Sequence, residues 1–264
     1  MPYALVIFLM TIYTRTDVIM LERLLPDGDL QAGIYASAYR LLEAANALGL
    51  LFAGLLFPMF SRQLKEKMDV SPLVRFSFQL IMVAAVTLAA TTWFFRSEIM
   101  KLLYKAATDF SGDVLGVLMG SFVAVSGTYI YSTLIGSAGA SRRMNRTFII
   151  AFVLNMGLNF VLIPPYKAFG AAISTLVTQS FVMFSLIFLS KKLNILRGDN
   201  RWSLRILTYA AAVFISIFFI KNAPFAVSWL VKMGVSVGVG GLLAVVFGLL
   251  DYRKLENLLK NQGV

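Results

Sequence analysis

The stretch RTFIIAFVLNMGLNFVLIPPYKAFGAAISTLVTQSFVMFSLIFLS, residues 146–190, contains two long apolar runs on either side of a proline pair. Each run is close to the roughly 20 residues that an α-helix needs to cross a bilayer. Pro164 and Pro165 interrupt the apolar pattern, because proline cannot donate a backbone hydrogen bond inside a helix. The stretch therefore predicts two membrane-spanning helices joined by a short turn.

Apolar runs of similar length recur along the whole chain of 264 residues, of which 59% are hydrophobic. Soluble domains are usually less apolar, so the composition is that of a membrane protein. We predict an all-α polytopic fold with about eight transmembrane helices and no extramembrane domain. Their predicted ranges are 3–21, 31–60, 74–95, 114–137, 146–163, 169–190, 204–221 and 226–250. The longest connection, 96–113, is expected to lie at the membrane interface as an amphipathic turn.

Two residue types are missing from the chain, which contains neither cysteine nor histidine. Disulfides, thiol chemistry, the commonest metal ligand and the usual general base are therefore absent. We expect no catalytic residues, no metal and no cofactor. A membrane-embedded glycosyltransferase or polymerase is disfavoured further, because the sequence has no carboxylate cluster and no large extramembrane loop.

The net charge of +11 has an explanation in the distribution of lysine and arginine. Fifteen of them follow the even-numbered predicted helices, whereas seven lie on the other side. Cytoplasmic loops of membrane proteins carry an excess of basic residues. The pattern predicts that the even loops and both termini are cytoplasmic, and a nucleic-acid partner is not needed to explain the charge.

Two stretches resemble a known family. Residues 17–62, DVIMLERLLPDGDLQAGIYASAYRLLEAANALGLLFAGLLFPMFSR, combine an intramembrane Asp, a short acidic loop, a G-[IL]-Y-x-x-A-Y-R motif and a closing F-P-x-x-S-R. Residues 155–179, NMGLNFVLIPPYKAFGAAISTLVTQ, contain N-x-x-x-N, an I-P turn and G-A-A-x-S-T in order. The chain resembles the C-terminal part of the multidrug/oligosaccharidyl-lipid/polysaccharide (MOP) exporter superfamily. It is most similar to the polysaccharide and O-antigen (Wzx-like) flippases.

The resemblance implies a transporter with two six-helix lobes around a central cavity. Residues 1–190 would form the C-terminal six-helix lobe, and residues 191–264 two additional transmembrane helices with a short cytoplasmic tail. The start of the sequence, PYALVIFLM directly after Met1, has no features of a signal peptide. We expect the chain to be the C-terminal portion of a longer transporter, with the missing N-terminal lobe as a partner.

The function that the resemblance implies is translocation of lipid-linked oligosaccharide across the bacterial inner membrane, without enzymatic chemistry. Its partners would be membrane lipid and an undecaprenyl-linked oligosaccharide, the precursor of a polysaccharide or O-antigen. Two alternatives stay open at this point. One is a cation-coupled multidrug exporter of the same superfamily, and the other is a nonfunctional fragment.

Charged residues inside the predicted spans are the first candidates for the site. A charge near mid-membrane costs about 2.5–3.5 kcal/mol on insertion scales, so such residues face a polar cavity or a partner. Arg15 and Arg40 are candidates to bind the pyrophosphate of the substrate, since guanidinium groups bind phosphate oxygens in fork geometry. Asp17 and Glu43 are candidate charge partners. Internal ion pairs between Asp17 and Arg40, or between Arg15 and Glu43, are the structural alternative.

Uncharged polar residues give a second set of candidates. Tyr35 and Tyr39 lie one turn apart and are candidates to stack on sugar rings, although tyrosine near a membrane interface favours packing or anchoring. Asn155 and Asn159 share a face of the fifth predicted helix, and Gln179 lies in the sixth. For these three residues we expect hydrogen bonds between helices or a place in the cavity wall.

Overall fold

The structure, a computed structural model, describes residues 16–195, 201–224 and 227–250, with only the backbone described at 201–203. Within these ranges the regular structure is entirely α-helical. The helices are α1 (16–24), α2 (Gly28–Lys65), α3 (Ser71–Leu103), α4 (Asp109–Ser137), α5 (Ser141–Lys192), α6 (Arg201–Asn222) and α7 (Trp229–Val246). The predicted all-α fold is therefore confirmed for the described part of the chain.

Six of the described helices, α2 to α7, are long and apolar enough to cross a membrane. The sequence predicted about eight spans, and the two counts differ for identifiable reasons. Most of the first predicted helix, together with Arg15, lies outside the described residues. The predicted helices over 146–163 and 169–190 both fall within α5, in which two helical segments meet at a kink at Lys167.

The bend at Lys167 divides α5 into two antiparallel arms. Lys167 has φ 55° and ψ −135°, a left-handed conformation that is rare for a residue with a side chain. Asn159 and Thr175 would be roughly 24 Å apart in a straight helix, yet both hydrogen-bond to the same carboxylate. A Cβ atom on Gly170 would overlap the carbonyl oxygen of Leu162, so glycine permits this close approach. The turn predicted from the proline pair is thus a helical hairpin.

The prediction of a long interfacial connection over 96–113 is wrong. Helix α3 continues to Leu103 and α4 already begins at Asp109. A kink at Phe95 marks the point where the apolar run ends, but the helix continues beyond it. Ion pairs of Arg96 with Asp113 (2.8 Å) and Lys101 with Asp109 (2.7 Å) join the extended ends of α3 and α4. Polar residues thus continue α3 beyond the apolar run, and two of them pair with residues of α4.

Helices α6 and α7 pack against each other and against α3. The buried Tyr209 hydroxyl lies 2.7 Å from the Thr87 hydroxyl and donates to the carbonyl oxygen of Gly240 (3.1 Å). These three residues, one each from α6, α3 and α7, are called the Tyr209 hub below. The hub joins three helices with neutral groups alone.

The two ends of the bundle differ in charge. An apolar cluster containing Phe60, Val74, Leu134, Met144 and Leu186 brings together the last turns of α2 and α4 and both ends of the α5 hairpin. The basic end is defined as the exposed cations around this cluster, which are Arg62, Lys65, Lys67, Arg75, Arg142, Arg143, Arg146, Lys191, Lys192 and Arg205.

The opposite end, called the paired end, contains the α1–α2 turn, the α3–α4 connection and the bend of α5. Here four cations form ion pairs. The pairs are Arg96–Asp113, Lys101–Asp109, Lys167–Asp27 and Lys221–Glu98. Most of the charge at this end is thus balanced within the chain.

Candidate functional site

Asp17, on α1, lies at the centre of a buried polar cluster. Its side chain is fully buried, and three neutral groups donate hydrogen bonds to it. The Tyr35 hydroxyl donates to Oδ2 (2.7 Å), the Thr175 hydroxyl donates to the same oxygen (3.0 Å), and the Asn159 amide donates to Oδ1 (2.6 Å). One carboxylate therefore connects α1, α2 and both arms of α5.

Asn155 extends the cluster along the first arm of α5. Its Oδ1 accepts a second hydrogen bond from the Asn159 amide, at 3.2 Å. The two asparagines are four residues apart, which places them on one face of the helix. Asp17, Tyr35, Asn155, Asn159 and Thr175 are together called the Asp17 hub. Apart from the carboxylate, all of its members are neutral, and each is at most 1% exposed.

The hub leaves polar atoms without partners. The Asn155 Nδ2 and Asn159 Oδ1 atoms are buried and form no hydrogen bond to any described residue, and the same holds for the nearby Thr178 hydroxyl. Buried polar groups in native proteins are normally hydrogen-bonded, so such atoms mark a site that strain, water or a ligand completes. The hub is thus incompletely satisfied by the described part of the chain.

The donor set indicates which ligands the hub suits. A carboxylate, amide oxygens and hydroxyls are hard oxygen donors, the type that binds small hard cations or a proton. Among the described residues no group of three or more Asp or Glu side chains could hold a metal ion. A single carboxylate with neutral oxygens has the charge to balance one monovalent cation or one proton.

A polar clamp lies at the paired end, next to the hub. Lys167, at the bend of α5, donates to the Asp27 carboxylate (2.9 Å), and the Gln31 amide donates to the same oxygen of Asp27 (2.9 Å). Gln31 also accepts a bond from the backbone of Ala168 (3.4 Å). The hydrogen bond from Lys167, and after it that from Gln31, holds the pKa of Asp27 below its ordinary value. Gln31 is one helical turn before Tyr35, so the clamp and the hub share a face of α2.

The structure separates the predicted candidates into two regions. Tyr35 is fully buried in the hub, and the half-buried Tyr39 stacks on it with ring centroids 5.6 Å apart. Arg40 and Glu43 are exposed on α2, outside the hub, and neither forms an ion pair with a described residue. The alternative of an Asp17–Arg40 ion pair is therefore not realised in the described structure.

The remaining candidates are also located, apart from Arg15, which lies outside the described residues. Asn155 and Asn159 are in the hub, where they bond to each other and to Asp17. Gln179 is half-buried and has no hydrogen bond to another described residue. The roles in substrate binding assigned to Arg15, Arg40, Tyr35 and Tyr39 stay predictions.

Sequence reasoning missed one member of the hub, Thr175. Its only signal was its position within the quoted G-A-A-x-S-T motif. Because it lies sixteen residues after Asn159, its proximity to Asp17 depends on how tightly the α5 hairpin closes. Helix periodicity does not contain that information.

In the residues that the structure describes, fold and site together define an all-helical protein with six helices able to cross a membrane and one buried carboxylate held by neutral donors. No protein-family model and no curated protein matches the chain.

Proposed function

We propose that this chain is part of an ion-coupled membrane transporter that translocates lipid-linked oligosaccharide. The single observation that carries the transport proposal is the Asp17 hub. A carboxylate buried among apolar helices costs several kcal/mol, and such residues mark ion or proton pathways in membrane proteins. No described cation neutralises Asp17, so a bound cation or proton is the natural counter-charge.

The proposed role of the hub is coupling. The accepting carboxylate lies on α1 and its donors come from α2 and the two arms of α5, so the charge state of Asp17 bears on the packing of three helices at once. A cation or proton bound at Asp17 would favour the arrangement in which these donors converge. Its release would favour another arrangement, because an uncompensated charge is expensive in an apolar interior. This is a two-state element of the kind that transport requires.

The proposed cargo is supported by the motif resemblance and by the exposed face of α2. Arg40 lies twelve residues after Gly28 on the 38-residue helix α2, roughly 18 Å along its axis. A charge exposed on a membrane-crossing helix faces water, a ligand or protein rather than lipid tails. Together with Glu43 and the small residues Gly33, Ala44 and Ala47, it gives this face a polar, open surface suited to a phosphate-bearing head group.

The proposed orientation places the basic end in the cytoplasm, in accordance with the positive-inside rule. The bacterial inner membrane is the location that the resemblance implies. In this orientation the clamp and the bend of α5 face the outer side. The lipid tail of the cargo would remain in the bilayer while the polar head group passes along the α2 face.

The cargo is tested by deleting the gene in the native bacterium and measuring both surface polysaccharide and the leaflet that holds lipid-linked oligosaccharide. We expect the intermediate to accumulate in the cytoplasmic leaflet. Reintroduction of the native gene should restore export. The Arg40→Ala variant should restore it weakly, and the Arg40→Lys variant, which keeps the charge, should restore most of it. Unchanged surface glycan with normal leaflet distribution would exclude this cargo.

A cation-coupled multidrug exporter is the second candidate, because the Asp17 hub would serve coupling equally well for a drug cargo. The deletion strain distinguishes the two functions. Raised drug sensitivity with intact surface polysaccharide, rescued by the wild type but not by Asp17→Asn, would favour the exporter.

A further inference from the structure

The basic end differs from the paired end in more than the number of its cations. At the paired end, four lysines and arginines are held by acidic partners within the chain. At the basic end, Arg142, Arg143 and Arg146 are all exposed, and none forms an ion pair with a described residue. Arg62 at this end pairs with Glu66 (3.0 Å), but the three arginines present unneutralised positive charge.

The three arginines lie at the start of α5, where their charges are locally unfavourable. Arg142 and Arg146 are four residues apart and Arg143 and Arg146 are three apart, so like charges are neighbours on one helix face. The helix begins after Ala140, has no side-chain cap and has no acidic residue in its first turn. Cations at a helix N-terminus also repel the positive end of the helix dipole. A bound anion would relieve both repulsions.

The position of these arginines indicates which kind of anion they are placed to bind. Arg146 directly precedes the apolar sequence TFIIAFVL of α5, and α5 is among the helices able to cross a membrane. The guanidinium groups thus lie within about two helical turns of the hydrocarbon boundary, at the depth of lipid headgroups. Guanidinium groups bind phosphate oxygens in bidentate geometry, and they remain charged there.

We propose that the basic end is a binding surface for anionic phospholipid headgroups, with Arg142, Arg143 and Arg146 as its main contacts. Each basic side chain beside an anionic membrane strengthens the attraction by about fivefold at moderate salt. The phosphates neutralise the start of α5 and hold the hairpin at a fixed depth. This proposal depends on membrane insertion but not on the cargo, so it holds for a flippase and for a drug exporter alike.

The test uses the full chain in nanodiscs of phosphatidylcholine with a minority of phosphatidylglycerol, with native mass spectrometry of the retained lipids. We expect phosphatidylglycerol to be enriched over its bulk share. The triple variant Arg142→Gln, Arg143→Gln, Arg146→Gln should lower this enrichment by about tenfold or more, and added salt should lower it in the wild type. The triple variant with lysine at these positions should keep most of the enrichment, which separates charge loss from misfolding.

The matched control removes three exposed cations from the paired end, by Arg23→Gln, Lys101→Gln and Lys105→Gln. We expect it to leave the enrichment unchanged, although the net charge changes equally. An equal loss in this control would overturn the proposal, as would absence of enrichment in the wild type or an equal loss with lysine. If inorganic phosphate at constant ionic strength removes the enrichment, the surface binds soluble phosphate and the lipid assignment fails.

Discussion

The Asp17 hub and the Tyr209 hub perform the same structural task with different chemistry. Each joins helices through a buried tyrosine hydroxyl, a threonine hydroxyl and further polar groups. The Tyr209 hub contains only neutral groups, and its tyrosine bonds to a hydroxyl and to backbone carbonyl oxygens. The Asp17 hub adds a carboxylate and two asparagines, with polar atoms left unsatisfied.

Comparison with the Tyr209 hub shows that the carboxylate of the Asp17 hub is not required for helix packing. Hydrogen bonds between transmembrane helices contribute about 0.6 kcal/mol on average, and neutral partners supply them. The Tyr209 hub holds three helices together without any charge. A buried carboxylate is therefore unnecessary for helix association and costly to keep, and its presence favours a functional role for Asp17.

The largest effect is expected from Asp17→Asn. Asparagine has nearly the same shape, and its oxygen still accepts from Tyr35 and Thr175. Rotation of the Asn159 amide would present its unpaired Oδ1 to the new amide group. We predict that the variant is stable but does not restore surface polysaccharide to the deletion strain. The measurement is the amount of surface polysaccharide in that strain when the variant is expressed at the wild-type level. Tyr209→Phe is the control, and near-normal export by Asp17→Asn would remove the distinction between the hubs.

The next largest effect concerns stability, through Gly240→Ala. A Cβ atom there would overlap the Thr87 side chain, because α7 approaches α3 closely at this point. We predict a loss of about 1–3 kcal/mol, the usual cost of overpacking, measured as a lower Tm of the purified protein. Gly238→Ala is the matched control on the same helix, since its Cβ would meet nothing within 4 Å. Equal Tm values for the two variants would contradict the packing of the Tyr209 hub.

A smaller effect is expected from Asn159→Ala and Thr87→Val, which remove one neutral partner from each hub. Both should lower stability by about 0.6 kcal/mol, the average contribution of an interhelical hydrogen bond in a membrane. Only Asn159→Ala should also reduce export, because it changes the surroundings of the carboxylate. The test measures the Tm and the export rate of Asn159→Ala and of Thr87→Val. If export falls with Tm to the same extent in the two variants, the result would argue against a functional Asp17 hub.

The smallest effect is a pH dependence of the clamp beside the Asp17 hub. The Lys167 hydrogen bond keeps the pKa of Asp27 below its ordinary value, so folding favours the ionised form. The clamp then contributes stability above about pH 4, near the unfolded-state pKa, and loses it as the pH falls through the lower folded value. Tm measured across this range should fall more in the wild type than in Asp27→Asn. Parallel curves would show that the clamp adds no pH-dependent stability.

The sequence predicted local features better than contacts between helices. Apolar runs and the proline pair located the helices and the turn within α5, because both signals act within a few residues. The shared face of Asn155 and Asn159 followed from helical periodicity. The partners of Asp17 did not, because they depend on the closing of the hairpin at Lys167. The extension of α3 beyond Arg96 was missed for a similar reason, since its ion pairs join separate helices.

The most direct measurement of the central claim is infrared difference spectroscopy of the purified chain in lipid, recorded while monovalent cation or proton concentration is changed. The account predicts a carboxylate band that responds to the cation or proton, disappears in Asp17→Asn and persists in Tyr209→Phe. Identical difference spectra for the wild type and Asp17→Asn would contradict it, because Asp17 would then be a buried structural charge with no ligand to bind.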